Sequence, residues 1–199
     1  AKLQEYLRDG FNFAKQKGNK GRSLGFVMTI FQKIAASSFA AVRSTLLRRQ
    51  LNLTIHEAII KDQALDIDGH VSLLEEAREL IHTTTGLPQD PVGRGEVERI
   101  LADLKLQLLR KLDEEELAAV ASSDSSETLS AEGEDLAATA VSLSLPEERL
   151  RIADLLSSFP EDRETKIAKL LRGLGALWKQ DPNEKVVIFA TYLATVDLL

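Results

Sequence analysis

Residues 181–199 read D-P-N-E-K-V-V-I-F-A-T-Y-L-A-T-V-D-L-L. A helix-breaking Asp181-Pro182 is followed by the polar Asn183-Glu184-Lys185, and then by the uninterrupted apolar run Val186-Val187-Ile188-Phe189-Ala190. Five apolar residues, mostly β-branched or aromatic and bounded by turn signals, predict a strand buried on both faces, the kind found in parallel sheets covered by helices. Thr191 is placed to N-cap a following helix. The stretch therefore predicts the start of an α/β unit. Removed from its sheet, such a strand presents unpaired backbone groups and favours self-association.

Everything before it reads as helix. Leu3, Tyr6, Leu7, Phe11 and Phe13 predict a first helix, weakened in its middle by Gly10. Leu24, Val27, Met28, Phe31, Ile34, Ala35, Ser38, Val42 and Leu46 recur at three- and four-residue intervals and predict one long helix over 24–50. Ser37 and Ser38 sit among alanines, which suits close helix packing. Arg43, Arg48 and Arg49 lie towards the end of that helix, where they either complement the dipole or face DNA. Residues 51–56 alternate apolar and polar and read as a short extended piece or a connector. Short helices follow over 57–65 and 71–82, then a long one over 96–120. Residues 122–144 are rich in Ser, Ala, Glu and Thr, hold no Lys or Arg, and predict a mobile linker. Two more helices close the series, over 146–158 with Pro146 in its first turn and over 162–180. The second carries the stripe Ile167, Leu170, Leu171, Leu174, Leu177 and Trp178, which places Trp178 in a core.

The fold expectation is thus mainly α, a helical bundle of long amphipathic helices plus one terminal β-strand. Three parts are expected: helices over 1–121, a linker over 122–145, and helices with the βα unit over 146–199.

Composition narrows the function classes. Of the 199 residues 44% are hydrophobic and 28% charged, enough for a packed core. No apolar run reaches the ~20 residues that cross a bilayer, and the start reads as helix, not as a secretory signal. There are no cysteines, which excludes disulfides and thiolate metal sites and fits a cytoplasmic protein. The net charge of −6 is unevenly placed: residues 1–50 hold 10 Lys/Arg against 2 Asp/Glu, and residues 51–199 hold 15 against 29. That asymmetry permits a basic face for an anionic partner, or simply a solvated helix surface.

The basic, glycine-rich segment 15–23 holds Lys15, Lys17, Lys20 and Arg22. It reads either as a loop that contacts phosphates or as a plain interhelical turn. It lacks the G-x-x-x-x-G-K-[ST] spacing of a nucleotide-binding phosphate loop. Asp62, Asp66 and Asp68 lack the glycine and closing glutamate of a calcium loop. His56, His70 and His82 are isolated, without zinc-site spacing. Asp113-Glu114-Glu115-Glu116 has no following His and reads as a solvated helix face. No catalytic residue, metal ligand or cofactor is assigned within the chain.

Lys185 to Tyr192 with Thr195 and Asp197, in the pattern K-V-V-I-F-A-T-Y-x-x-T-x-D-x-L, resembles the first strand and helix of the second RecA-like lobe of superfamily-two helicases. It is most similar to the Swi/Snf-like ATPases of the bacterial RNA-polymerase-associated type. Glu164-Thr165-Lys166-Ile167-Ala168-Lys169-Leu170-Leu171 resembles the helix that leads into that strand. Lys33-Ile34-Ala35-Ala36-Ser37-Ser38, continuing to Ala41, Leu46 and Arg49, resembles the family's helix between the lobes. The resemblance covers about the first fifty residues and the last forty. It implies a fragment of a larger DNA-dependent ATPase whose ATP and Mg²⁺ sites lie outside these residues. It also implies DNA as a partner, with RNA polymerase or another protein beside it. It places Thr191 and Tyr192 near the tracked strand, although capping and packing account for them as well. The other expectation, from a different class, is a non-enzymatic helical module that binds a protein partner.

Overall fold

The structure, a computed structural model, describes residues 2–17, 21–111, 137–141, 144–159 and 165–189. Seven helices are described: α1 (Lys2–Gln16), α2 (Arg22–Ser37), α3 (Phe39–Gln63), α4 (Ile67–Thr85), α5 (Pro91–Lys111), α6 (Glu148–Ser157) and α7 (Thr165–Gln180). The protein is mainly α-helical, and no strand forms among the described residues.

The axis of the bundle is α3. It packs against α2, α4, α5 and α6, while α1 lies on α2 and α6. Enclosed in this way, α3 buries residues all round its circumference, among them Val42, Leu46, Leu47, Leu51, Leu53, Ile55 and Ile59. A helix covered on every side shows no single apolar stripe. For that reason residues 51–56, expected as an extended piece or connector, are five consecutive buried positions of one uninterrupted helix and then half-buried His56.

The helix expected over 24–50 is two helices. Ser38 takes an extended conformation (φ −155°, ψ 155°), and its Oγ accepts a hydrogen bond from the Ala41 N–H at 3.1 Å. A serine that caps the next helix breaks the run at no cost in unpaired donors. The apolar positions of that run nevertheless face inward: Leu24, Val27, Met28, Phe31, Ile34, Val42 and Leu46 are all buried.

Two glycines matter to the architecture. A Cβ at Gly21 would lie 1.8 Å from the Ala14 carbonyl oxygen, so the α1–α2 turn closes only around glycine. Gly86 ends α4 in the left-handed region (φ 68°), its N–H donating to the His82 carbonyl. At the other end of α4, the Asp66 carboxylate accepts from the Gly69 N–H at 3.0 Å. Inward-facing Leu73, Ala77 and Ile81 of α4 meet Val97, Leu101 and Leu108 of α5 in one core cluster.

Two departures from expectation bear on the site. The end of the expected linker is core: Ala137, Ala138, Ala140, Val141 and Leu145 are buried, while residues 112–136 lie outside the described residues. Helix α6, expected to belong with the C-terminal part, shares the core of α1–α5 through Ile152 and Leu155.

The expected terminal strand is not formed. Residues 184–189 have no ladder partner among the described residues, and Phe189 is 92% exposed. Strand structure requires pairing, and no second strand lies beside this one to supply it. Trp178 is also not in a core: it is 45% exposed, its indole N–H donating to the Glu184 carbonyl at 3.0 Å.

Candidate nucleic-acid interface

The basic segment begins in the last turn of α1, where Lys15 complements the helix dipole and is exposed. Lys17 is exposed one turn end later, its ammonium 5.1 Å from the centre of the Phe13 ring. Lys20, the side chain of Arg22, Thr191 and Tyr192 lie outside the described residues. Of the six residues proposed from sequence to touch nucleic acid, the described structure therefore brings together Lys15 and Lys17. Gly21 of the same segment has a packing role, set by the Ala14 carbonyl. Lys33 on α2 and Arg43 on α3 add further exposed cations.

Arg49 has a different place. It is fully buried, and so is Glu148 at 2% exposure. The guanidinium meets the carboxylate in a two-point pair, Nε to Oε1 at 2.6 Å and Nη2 to Oε2 at 3.0 Å. Nη1 donates to the carbonyls of Ala137 (2.8 Å) and Ala140 (3.3 Å). Glu148 accepts in addition from the Tyr6 hydroxyl at 2.5 Å and from the Leu145 N–H at 2.7 Å. The Phe31 ring centre lies 5.9 Å from the guanidinium carbon. Burial works against the Arg49 charge, but the Glu148 carboxylate more than offsets it, and the guanidinium is held charged. Burial, and then the Glu148 charge, push the Tyr6 phenol well above its ordinary value. One ion pair thus joins α1, α2, α3, α6 and residues 137–145. Sequence reading assigned Arg49 to a helix end, because its partner lies 99 residues away and gives no local signal.

The same seam continues outward. Asn52 Nδ2 donates to the Ala138 carbonyl at 3.1 Å. Arg149 bridges α3 and α4, donating to Glu57 at 2.8 Å and to Glu76 at 2.6 Å. At the surface Lys2 pairs with Asp154 at 2.8 Å and Arg151 with Asp9 at 3.2 Å. These two pairs wall a cleft of about 320 Å³ beside Glu5 and Tyr6, in which the opposite charges satisfy each other. A second cleft, about 460 Å³, lies between α4 and α5 and holds the Arg78–Glu98 pair with His82 and Arg94.

The histidines and the acidic cluster have structural partners. His70 Nδ1 lies 2.9 Å from the Ala58 carbonyl and His82 Nδ1 lies 3.0 Å from that of Leu87. Burial lowers the pKa of His56. Asp66 caps α4 and pairs with Lys61 at 2.9 Å. Among the described residues no three His, Cys, Asp or Glu side chains are grouped to hold a metal ion, and no helix is long and apolar enough to cross a membrane. Residues 113–116 lie outside the described residues.

Comparison of the chain with family models, with curated proteins and with solved structures finds no match.

Proposed function

We propose that the chain is a piece of a Swi/Snf-like superfamily-two ATPase, comprising the helical region between its lobes and the first βα unit of its second RecA-like lobe. The observation that carries this reading is the order of two resembling segments. Lys33 to Arg49 comes first, and the lysine-led apolar strand with Thr191 and Tyr192 follows at the other end of the chain. The helical bundle suits a brace between lobes. The exposed 186–189 stretch suits a strand that pairs only when the rest of its sheet is present. In this reading the parent protein uses ATP and Mg²⁺ to move along DNA, with RNA polymerase or another bound protein as a partner, in the cytoplasm. The chain supplies bracing and the cations Lys15, Lys17, Lys20 and Arg22, which contact backbone phosphates.

Two tests apply. The reading frame of the encoding gene should carry a D-E-x-H-type box upstream and a Q-x-x-G-R-x-x-R-type motif downstream. Fluorescence anisotropy with duplex DNA at low salt should show weaker binding when Lys15, Lys17, Lys20 and Arg22 are changed to Glu in the parent. Unchanged binding would refute the basic-segment role.

The second reading, a helical module that docks a protein partner, is favoured by one observation. Leu177, Trp178 and residues 186–189 form a run of exposed apolar side chains next to one another in the chain. A frame carrying neither ATPase motif would select it.

A further inference from the structure

The residues that lie over α3 before α6 have little apolar surface of their own. Ala137, Ala138 and Ala140 are fully or nearly buried, yet each contributes a single methyl group. Their attachment to α3 is polar. Arg49 Nη1 holds the carbonyls of Ala137 and Ala140, and Asn52 holds that of Ala138. Glu148 holds the Leu145 N–H while it neutralises Arg49. The residue before it, Glu147, sits in the left-handed region at φ 53°, an unfavourable place for a non-glycine side chain. A buried ion pair is weak evidence for stability, since apolar groups of the same shape often serve as well or better. Breaking one from one side, by contrast, is strongly disruptive. A segment fastened by such a pair, with few apolar contacts and local backbone strain, has the features of a unit that opens below the global unfolding threshold.

We infer that residues 137–149 form a strap latched onto α3 by the Arg49–Glu148 pair, which opens and closes as a unit and so controls how the chain beyond α6 leaves the helical core. Tyr6 is a positioning residue for the latch, because its hydroxyl donates to Glu148 and touches neither the strap backbone nor Arg49's carbonyl partners. When the strap is closed, α6 is seated between α1 and α3 and α7 follows from a fixed point. When it is open, Arg49 and Asn52 of α3 face solvent.

Native-state hydrogen exchange with peptide-level readout tests this on the full chain. Peptides covering 137–149 should exchange through an opening faster than the one that exposes 71–81 and 97–108 of α4 and α5. Tyr6→Phe, a mild change, should speed exchange of 137–149 by about tenfold, the scale of one lost hydrogen bond to a charged group, while leaving the α4 and α5 peptides within twofold. Arg49→Met with Glu148→Leu should slow it relative to either single change. Parallel exchange of 137–149 with α4 and α5 in the wild type, or equal acceleration of all peptides by Tyr6→Phe, would overturn the latch and leave these residues as an ordinary part of one cooperative core.

Discussion

Helices α6 and α7 make an instructive pair. By sequence α7 is the better candidate for burial: its stripe of Ile167, Leu170, Leu171, Leu174, Leu177 and Trp178 is long and regular. Yet it is α6, shorter and bearing five charged residues over Glu148–Ser157, that sits in the core. Its Ile152 and Leu155 are buried, and its charges are matched one by one: Glu148 to Arg49, Arg149 to Glu57 and Glu76, Arg151 to Asp9, Asp154 to Lys2. Among the described residues no helix packs extensively on α7, and Trp178 and Leu177 remain exposed. Apolar periodicity says that a helix has a face to bury, but what buries it is decided by partners far along the chain. Here α6 has its partners in α1, α3 and α4, and the apolar face of α7 is without one, as expected of a helix leading into a sheet.

The sharpest way to break the contrast is to unpair the buried charge. Arg49→Met alone should cost about 3–5 kcal/mol, because Glu148 is left buried and uncompensated. Arg49→Met with Glu148→Leu should recover most of that loss, as read by urea unfolding followed by circular dichroism. A single change costing less than about 1 kcal/mol would mean that α6 is held by its apolar contacts alone.

Next in size is a matched pair of truncations. Leu155→Ala on α6 should cost about 2–4 kcal/mol for a buried leucine. Leu177→Ala on α7, at 36% exposure, should cost well under 1 kcal/mol. Equal costs would show that α7 is buried in solution after all.

Tyr6 sharpens the comparison through pH. Its folded-state pKa is raised, by burial first and then by the Glu148 charge. Below the unfolded value near 10 the phenol is protonated in both states, and its stabilisation is fully present. Above it the unfolded chain releases the proton first, so stability falls as pH rises. Tyr6→Phe should remove that part of the alkaline loss while costing about 1–3 kcal/mol at neutral pH from the missing hydrogen bond to a charged group. The chain has two tyrosines, so absorbance titration of Tyr192→Phe reads Tyr6 alone. A midpoint at the ordinary value would contradict its burial.

The smallest effect is expected at the rim. Asp154→Asn removes the exposed pair with Lys2 and should change stability by less than about 1 kcal/mol, an effect that salt erases.

The sequence made the one-sided helices legible. The inward positions of α1, α2, α4 and α5 repeat at helical spacing, and Leu73, Ala77, Ile81, Val97 and Leu101 are buried as that spacing predicts. Three features escaped it for separate physical reasons. Residues 51–55 have no polar face because α3 is enclosed, so their alternation imitated a strand. Ser38 looked like a small packing residue, although its hydroxyl ends one helix and caps the next. Ala137 to Val141 looked like linker because alanines carry no periodic apolar signal, and their burial depends on carbonyl acceptors for Arg49 and Asn52. Of the proposed nucleic-acid contacts, Lys15 and Lys17 are exposed as a binding role requires, whereas Arg49 is withdrawn into an ion pair that composition alone does not reveal.

The functional proposal is tested most directly by phosphate release from the product of the whole reading frame that contains this chain. That product should show Mg²⁺-dependent ATP hydrolysis stimulated by duplex DNA, and residues 1–199 alone should show none. A whole product that leaves ATP intact in the presence of DNA, or turnover by the 199-residue chain itself, would contradict it.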